Sequence, residues 1–251
     1  MNDIPRIYYN STAGSGRAAK IWKESKSIIE NITNDNSIIV VGGDGTLNTL
    51  INKLEQPEHY RFILVPAGTS NSLAHSLKGI SNIDIWQIEV DGISYRFINE
   101  ASVGFAAAIA REVEHNHTKH FFNRLYLNEL AYIATAFKCW FKDEPYFLSL
   151  CNNRRISGNL YPCVNADYSD NWLDIYKLAC PRWRLPFELL KLVRAKRDKS
   201  TPYNTRTRIQ EGEWTFANPL PVEIDGNPLP PAKRIKITRY PTQISINLLV
   251  L

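Results

Sequence analysis

The sequence predicts an α/β + β chain: an N-terminal Rossmann-like parallel α/β domain followed by a C-terminal antiparallel β-sandwich domain. Three observations carry this. Up to Leu77, short apolar runs alternate three times with a glycine-bearing loop and a stretch of helical periodicity. After Ser81 the texture changes to short apolar runs broken by Asn, Gly and Pro clusters. The 251 residues, 44% hydrophobic and 22% charged, suffice for a buried core and are unlike a disordered chain.

Ile7-Tyr8-Tyr9 reads as a strand and Asn10 to Gly16 as a loop of small residues. The next helix sets Ile21, Trp22, Ser25, Ile28, Ile29 and Ile32 on one face at i, i+3/i+4 spacing. Ile38 to Val41 is an unbroken β-branched run, the pattern of a strand covered on both faces of a parallel sheet. Gly42-Gly43-Asp44-Gly45 follows, then a helix aligning Leu47, Leu50, Ile51 and Leu54. The unit recurs as strand Phe62 to Val65, loop Pro66 to Thr69, and a short helix from Asn71 to Leu77. In such a sheet ligands bind beyond the carboxyl ends of the strands, where all three loops lie.

Ile83 to Val90, the turn Asp91-Gly92, and Ile93 to Phe97 read as a hairpin. Further strands are expected at Tyr146–Leu150, Trp172–Leu178, Trp214–Phe216, Val222–Ile224, Ile235–Ile237 and Ile244–Leu249, with a helix over Leu125 to Phe141. The domain boundary is placed at residue 92. Residues 1–92 form the α/β domain and 93–240 the sandwich, and a last strand in 241–251 returns to the first domain.

The longest apolar stretch, Ala131 to Phe137, is far short of the ~20 residues of a membrane span. The first residues have neither the basic start nor the apolar core of a signal peptide. Cys139, Cys151, Cys163 and Cys180 lack Cys-x-x-Cys spacing and read as reduced thiols of a cytoplasmic protein. His115, His117 and His120 have no partner at zinc-ligand spacing, so a solvated loop is expected there. Hydrolase motifs of the Gly-x-Ser-x-Gly type are absent.

The formal charge of +5 is unevenly spread: residues 177–251 hold 14 basic and 6 acidic side chains, a net of +8. Pro181 to Glu188 leads into a helix with Leu189, Leu192 and Val193 on one face and Lys191, Arg194, Lys196 and Arg197 on others. That pattern suits peripheral contact with an anionic membrane surface through 181–208, with Trp183 and Phe187 near the interface. A helix packed on the sandwich with an ordinary charged exterior is the alternative, and the pattern favours it slightly. No aromatic platform or DNA-reading motif argues for a nucleic-acid partner.

The strongest chemical signal is Gly42-Gly43-Asp44-Gly45-Thr46, between a buried strand and an amphipathic helix. Glycines allow a sharp turn and close approach of a polyphosphate, and a helix N-terminus offers N–H groups and a positive dipole end. Thr46 can cap the helix, and Asp44 is the loop's only charged side chain, suited to Mg²⁺ or a hydroxyl nucleophile. It is not a Walker loop, because no Gly-Lys-[Ser/Thr] follows.

Gly42 to Thr46 resembles the GGDGT signature of the diacylglycerol kinase catalytic-domain family, which includes bacterial lipid kinases and sphingosine kinases. Five other segments match in family order. Asn10 to Gly16 resembles the first phosphate loop, Pro66 to Asn71 the "PxGTxND" segment, Phe97 to Phe105 "FxNxxxxGF", and Asp167 to Asp174 "DGxLD". Ile224-Asp225-Gly226-Asn227 resembles the late "DGE". The resemblance implies an ATP-dependent lipid kinase, with the 1–92 domain binding nucleotide, the 93–240 domain binding a lipid substrate, and the site between them. It places ATP against Asn10, Thr12, Gly14, Gly42, Gly43, Asp44, Gly45, Thr46, Asn48, Gly68, Thr69 and Asn71. It implies a second Mg²⁺ at Asp167, Asp170 and the Trp172 carbonyl, and catalysis at Asp44, Asp225 and Asn227.

Three family carboxylates are missing. Asn227 stands where the general-base Glu is usual, Ser72 where Asp follows Asn71, and Thr49 where the glycine-loop helix carries Glu. An amide accepts no proton at neutral pH, and a general base is worth ~10²–10⁴ in rate. Phosphoryl transfer nevertheless rests mainly on positioning and charge neutralisation. Asp225, two residues earlier, and Asp44 are the carboxylates left to substitute. About 30 residues separate Asn10 from Gly42, too few for a strand–helix unit common in the family. Two readings stay open: a lipid kinase with a thinned site, and a pseudokinase that binds nucleotide or lipid without transfer.

Overall fold

The computed structural model describes residues 6–32, 36–77, 79–115, 146–156, 160–193 and 195–250. The expected helix over Leu125 to Phe141, with Cys139, His117 and His120, lies outside them. Strands β1 (Ile7–Tyr9), β2 (Ser37–Gly42) and β3 (Arg61–Pro66) pair in parallel in that order. Helices α1 (Arg17–Glu30) and α2 (Asp44–Lys53) connect them. The period-two geometry of a strand sends Ile39 and Val41 to the α1 face, with Ala18 and Ile29, and Ile38 and Val40 to the α2 face, with Leu47, Leu50 and Ile51. Both faces are therefore buried, as the β-branched run predicts. Ile28 departs from the expected helix face: it is exposed, and Ile29 carries the contact.

The second part is antiparallel. β4 (Ile80–Val90) and β5 (Ile93–Phe97) form the expected hairpin about Asp91-Gly92, both residues in the left-handed region. β6 (Glu100–Gly104), β7 (Tyr146–Cys151), β8 (Leu173–Ala179) and β9 (Asn204–Ile209) pair side by side, and β10 (Glu211–Ile224) continues the sheet from β6. The last strand, β11 (Asn227–Leu248), pairs with β10, with the whole of β4, and in parallel with β3 through Ser245 to Leu248. The four short strands expected after Trp214 are thus two long ones. Pro219, Pro221 and Pro241 coincide with shifts in register rather than with strand ends, so the ladder bends past each missing N–H instead of stopping.

Trp86, Ile88 and Phe97 from the hairpin side meet Val103, Leu148, Leu150 and Ile175 from the β6–β8 side in one core, the arrangement of a sandwich. Helix α4 (Phe105–His115) and helix α5 (Leu185–Leu190) cover the outer face of β7 and β8 through Phe105, Ile109 and Leu185. α5 ends at Leu190, so the expected helical face of Leu189, Leu192 and Val193 is not continuous. Leu192 is buried beyond the helix end, and Val193 bridges to Leu160.

Asn152 joins these parts. Its amide accepts the Trp86 indole N–H at 2.9 Å and donates to the Asp84 and Ile98 carbonyls at 2.9 and 2.7 Å, all buried. Asn152→Ala leaves three buried polar groups without that partner, each costing about 1–3 kcal/mol. The variant should lose at least about 3 kcal/mol of stability in urea unfolding; a loss under about 1 kcal/mol would remove Asn152 from this role.

Candidate active site at the glycine loops

The loops after β1, β2 and β3 meet at one sheet edge. The Asn10 N–H donates to the Val41 carbonyl at 3.2 Å and the Ala67 N–H to the Gly42 carbonyl at 2.7 Å. Asn10 Nδ2 donates to Thr46 Oγ1 at 3.3 Å, while the Thr12 N–H and hydroxyl donate to Asn10 Oδ1. Asn71 Oδ1 accepts the Gly68 N–H at 2.8 Å, and Thr69 is half-buried beside it.

The glycines serve loop-on-loop packing. A Cβ on Gly43 would stand 2.7 Å from Gly68 Cα, and one on Gly14, itself at φ +60°, 2.1 Å from the Ala67 carbonyl oxygen. A Cβ on Gly45 would approach Asn227 Oδ1 and the Asp225 carbonyl at 3.1 Å. What remains suited to an anion is the pair of helix starts. Gly16 and Gly43 are the N-cap residues of α1 and α2, and neither helix has a side-chain hydrogen bond capping its first turn. Two such N-termini, linked through the Ala67–Gly68 loop against which Gly14, Arg17 and Gly43 all pack, fit a polyphosphate.

The carboxylates are tied down. Asp44 is buried, and its oxygens accept the Ser72 and Leu73 N–H groups at 2.7 and 3.3 Å, holding the start of helix α3 (Ser72–Ser76). Burial pushes its carboxyl up to about 6, against the pull of those two N–H groups and the Arg155 charge. Asp225 is held more tightly. Its Oδ1 accepts the Asn99 and Glu100 N–H groups and its Oδ2 the Ile98 N–H and Asn48 Nδ2, all at 2.8 Å. Burial pushes this carboxyl up to about 7, opposed by the three backbone N–H groups and assisted by the Asp44 charge. Asn227 Nδ2 donates to the Gly45 carbonyl and to Asn48 Oδ1, both at 3.1 Å.

Asn48, expected at the nucleotide, is instead only 2% exposed. Its amide is consumed by Asp225, Asn227 and the Arg96 carbonyl. The structure brings Asp44, Asn48, Asp225 and Asn227 together, but the last three form a knot between α2 and the sandwich. Thr49, in the place of the family Glu, turns its hydroxyl back to the Gly45 carbonyl at 2.8 Å. The Ser72 hydroxyl is buried with no hydrogen-bond partner among the described residues, next to the Asp44 carboxylate.

The expected second Mg²⁺ ligands do not fit a cation. Asp167 Oδ1 accepts the N–H and hydroxyl of Ser169, closing its own turn. Asp170 accepts the Trp172 N–H and is ion-paired to Arg208, which also reaches Asp174 at 3.4 Å and lies 5.7 Å over the Trp172 ring. A guanidinium therefore fills the place a cation would need. Among the described residues no three Asp, Glu, His or Cys side chains converge as a metal site.

The Asn152-Asn153-Arg154-Arg155 segment belongs to the site although its Asn152-Asn153 pair reads in the sequence only as a polar break between strands. Asn153 Nδ2 donates to the Ser72 carbonyl and to Asn99 Oδ1, and its Oδ1 accepts the Ser76 hydroxyl. That seats the segment on α3 and brings the Arg155 charge to bear on Asp44 and His75. Asp84 is also missed. It accepts the Asn171 N–H and Gln243 Nε2, pinning the 168–171 loop. No signal in the sequence marks either, since their partners lie 54 or more residues away.

The fold and this edge define a class: an α/β sheet with interlocked glycine loops, continued by an antiparallel sandwich. Residues 23–106 match the diacylglycerol kinase catalytic domain, and the chain's resemblance to that family is thereby shown. The "Probable lipid kinase YegS-like" of Shewanella frigidimarina (strain NCIMB 400) is 27% identical over 236 residues, covering 83% of this chain and 74% of that protein. The crystal structure of a diacylglycerol kinase from Bacillus anthracis str. Sterne superposes with a TM-score of 0.57 at 15% identity, over 93% of this chain and 81% of that one. Another solved structure from the same strain gives 0.65 at 14% identity, over 97% and 96%. These two show the fold.

Both buried carboxyls sit above their ordinary 3.8, so the folded chain binds their protons more tightly than the unfolded chain does. Their contribution to stability is full below about pH 4 and is lost as pH rises through about 6 to 7. Urea midpoints should therefore fall between pH 5 and pH 8, and Asp44→Asn should flatten that fall. A slope that Asp44→Asn leaves untouched would contradict the assignment.

Proposed function

We propose that the chain is an ATP-dependent lipid kinase, transferring the γ-phosphoryl group of MgATP to a hydroxyl of diacylglycerol or a related lipid. The observation that carries this reading is the pair of uncapped helix starts beside the interlocked glycine loops. The match over residues 23–106 and the lipid-kinase relative support it. In this reading 1–92 supplies the nucleotide side and 93–240 the lipid side. The polyphosphate lies against Asn10, Thr12, Gly14, Gly43 and Thr69, and Mg²⁺ enters with ATP as part of the substrate.

The transfer forms a bond from the lipid hydroxyl oxygen to the γ-phosphorus and breaks the bond to the β,γ-bridging oxygen, releasing ADP. The hydroxyl proton needs an acceptor. Asn227 is an amide, and Asp225 spends both oxygens on four N–H donors. Asp44 is the carboxylate left, and with its carboxyl at about 6 it takes a proton more readily than an ordinary aspartate. Arg155, whose charge acts on Asp44, adds positive potential on the same side. The same reading includes a peripheral contact with an anionic lipid surface within 181–208.

Incubation with ATP, Mg²⁺ and a panel of diacylglycerol and sphingoid lipids should yield a phosphorylated lipid. Asp44→Asn should lower turnover by about 10²–10⁴-fold, the worth of a general base. Nucleotide binding without any lipid phosphate would overturn the kinase reading; full turnover in the variant would overturn the role of Asp44 alone.

A further inference from the structure

Of the large apolar side chains that the described residues leave exposed, three come from one short segment: Trp183, Phe187 and Leu190, at 59, 61 and 58% exposure. The others are scattered singly along the chain, which is ordinary for a protein surface. The spacing of i, i+4 and i+7 across the turn Arg182–Arg184 and helix α5 places the three on one side. The opposite side anchors the helix: Leu185 is buried in the α4 core, and Leu192 joins it just past the helix end.

The charge around this apolar ridge is of one sign. Glu188 is 2% exposed and neutralised from within, by Lys191 Nζ at 2.7 Å and the Thr201 hydroxyl at 3.2 Å. Asp198 is ion-paired to Arg206 at 3.2 Å. Lys196, Arg197 and Lys199 are exposed, and Arg184 lies over the Trp183 and Tyr203 rings at 4.8 and 4.9 Å. An apolar ridge with a cationic border and both local acids neutralised complements an anionic lipid surface, with tails to receive the ridge and phosphates to meet the border. A second copy presenting the same cationic border would be repelled, and a nucleic-acid backbone offers nothing to cover the apolar trio.

We propose that Arg182–Lys199 is an interfacial wedge, in which Trp183, Phe187 and Leu190 enter the headgroup boundary of an anionic bilayer and Arg184, Lys196, Arg197 and Lys199 meet its phosphates. The wedge deepens the lipid-kinase reading and rests on that reading for its purpose, though not for its test. It stands apart from the glycine loops. Asp174 lies opposite Cys151, which pairs with Glu100 beside Asp225, whereas Ala179 lies opposite Tyr146 at the far end of the same strands. At about 3.3 Å per residue, β8 puts roughly 17 Å between Asp174 and the wedge.

The test is co-sedimentation of the full chain with vesicles of phosphatidylcholine alone and of phosphatidylcholine with phosphatidylglycerol. Binding is expected on the anionic vesicles only and should weaken as salt rises. Lys196→Glu with Arg197→Glu should weaken it by roughly 30-fold or more, and Phe187→Ser with Leu190→Ser by at least tenfold. Both double variants should keep native thermal unfolding and native ATP affinity. Equal binding to both vesicle types, unchanged binding by the variants, or a dimer that Phe187→Ser with Leu190→Ser dissociates would each overturn the wedge. Vesicle binding without lipid phosphorylation leaves the wedge standing and removes the kinase reading. Phosphorylation of detergent-dispersed lipid without vesicle binding does the reverse.

Discussion

The carboxylate of Asp225 is where the two parts of the chain are tied together. It sits in the left-handed turn between β10 and β11 and accepts three consecutive backbone N–H groups from Ile98, Asn99 and Glu100, plus the amide of Asn48 from helix α2. Each of those donors is buried, and a buried N–H without an acceptor costs about 1–3 kcal/mol. Without the carboxylate four such donors would need new partners at once. Asn48 in turn holds Asn227, and Asn227 holds the Gly45 carbonyl, so the chain of contacts runs from the sandwich into the glycine loop.

This constraint explains why the glycines matter in an unexpected way. Gly43 meets Gly68, Gly14 meets the Ala67 carbonyl, and Gly45 faces Asn227. With the loops interlocked and Asp44 fastened to the start of α3, the N–H groups at Gly16 and Gly43 are held without a side-chain competitor. Preorganised donors stabilise developing charge without reorganisation at the moment of reaction. Two of the three positions where the resembled family carries a carboxylate, Ser72 and Thr49, fit the same picture. Thr49 spends its hydroxyl on its own helix, and a carboxylate at Ser72 would add a second buried charge beside Asp44.

Much of the first part was legible because its signals are local. A β-branched run, a glycine loop and a 3.6-residue period are each read within about ten residues, and Ile38 to Leu54 folds as that reading expects. Proline misled where it is most often trusted: Pro219, Pro221 and Pro241 bend long strands without ending them, because edge and bulge positions tolerate a missing N–H. The site itself was half legible. Asp44 and the loops carry a motif, but the roles of Asn48, Asp225 and Asn153 come from partners 48 or more residues distant in the chain. The second metal site failed because Arg208, on a strand with no apolar alternation to mark it, supplies the positive charge beside Asp170.

Asp225 fixes the glycine-loop helix to the sandwich. Amide hydrogen exchange on Asp225→Ala tests it most directly. Protection is expected to fall at Ile98 to Glu100, where the acceptor is removed, and also across Gly42 to Asn48, which the knot holds at a distance. Lost protection confined to Ile98 to Glu100, with the glycine loop as protected as in the native chain, would contradict it.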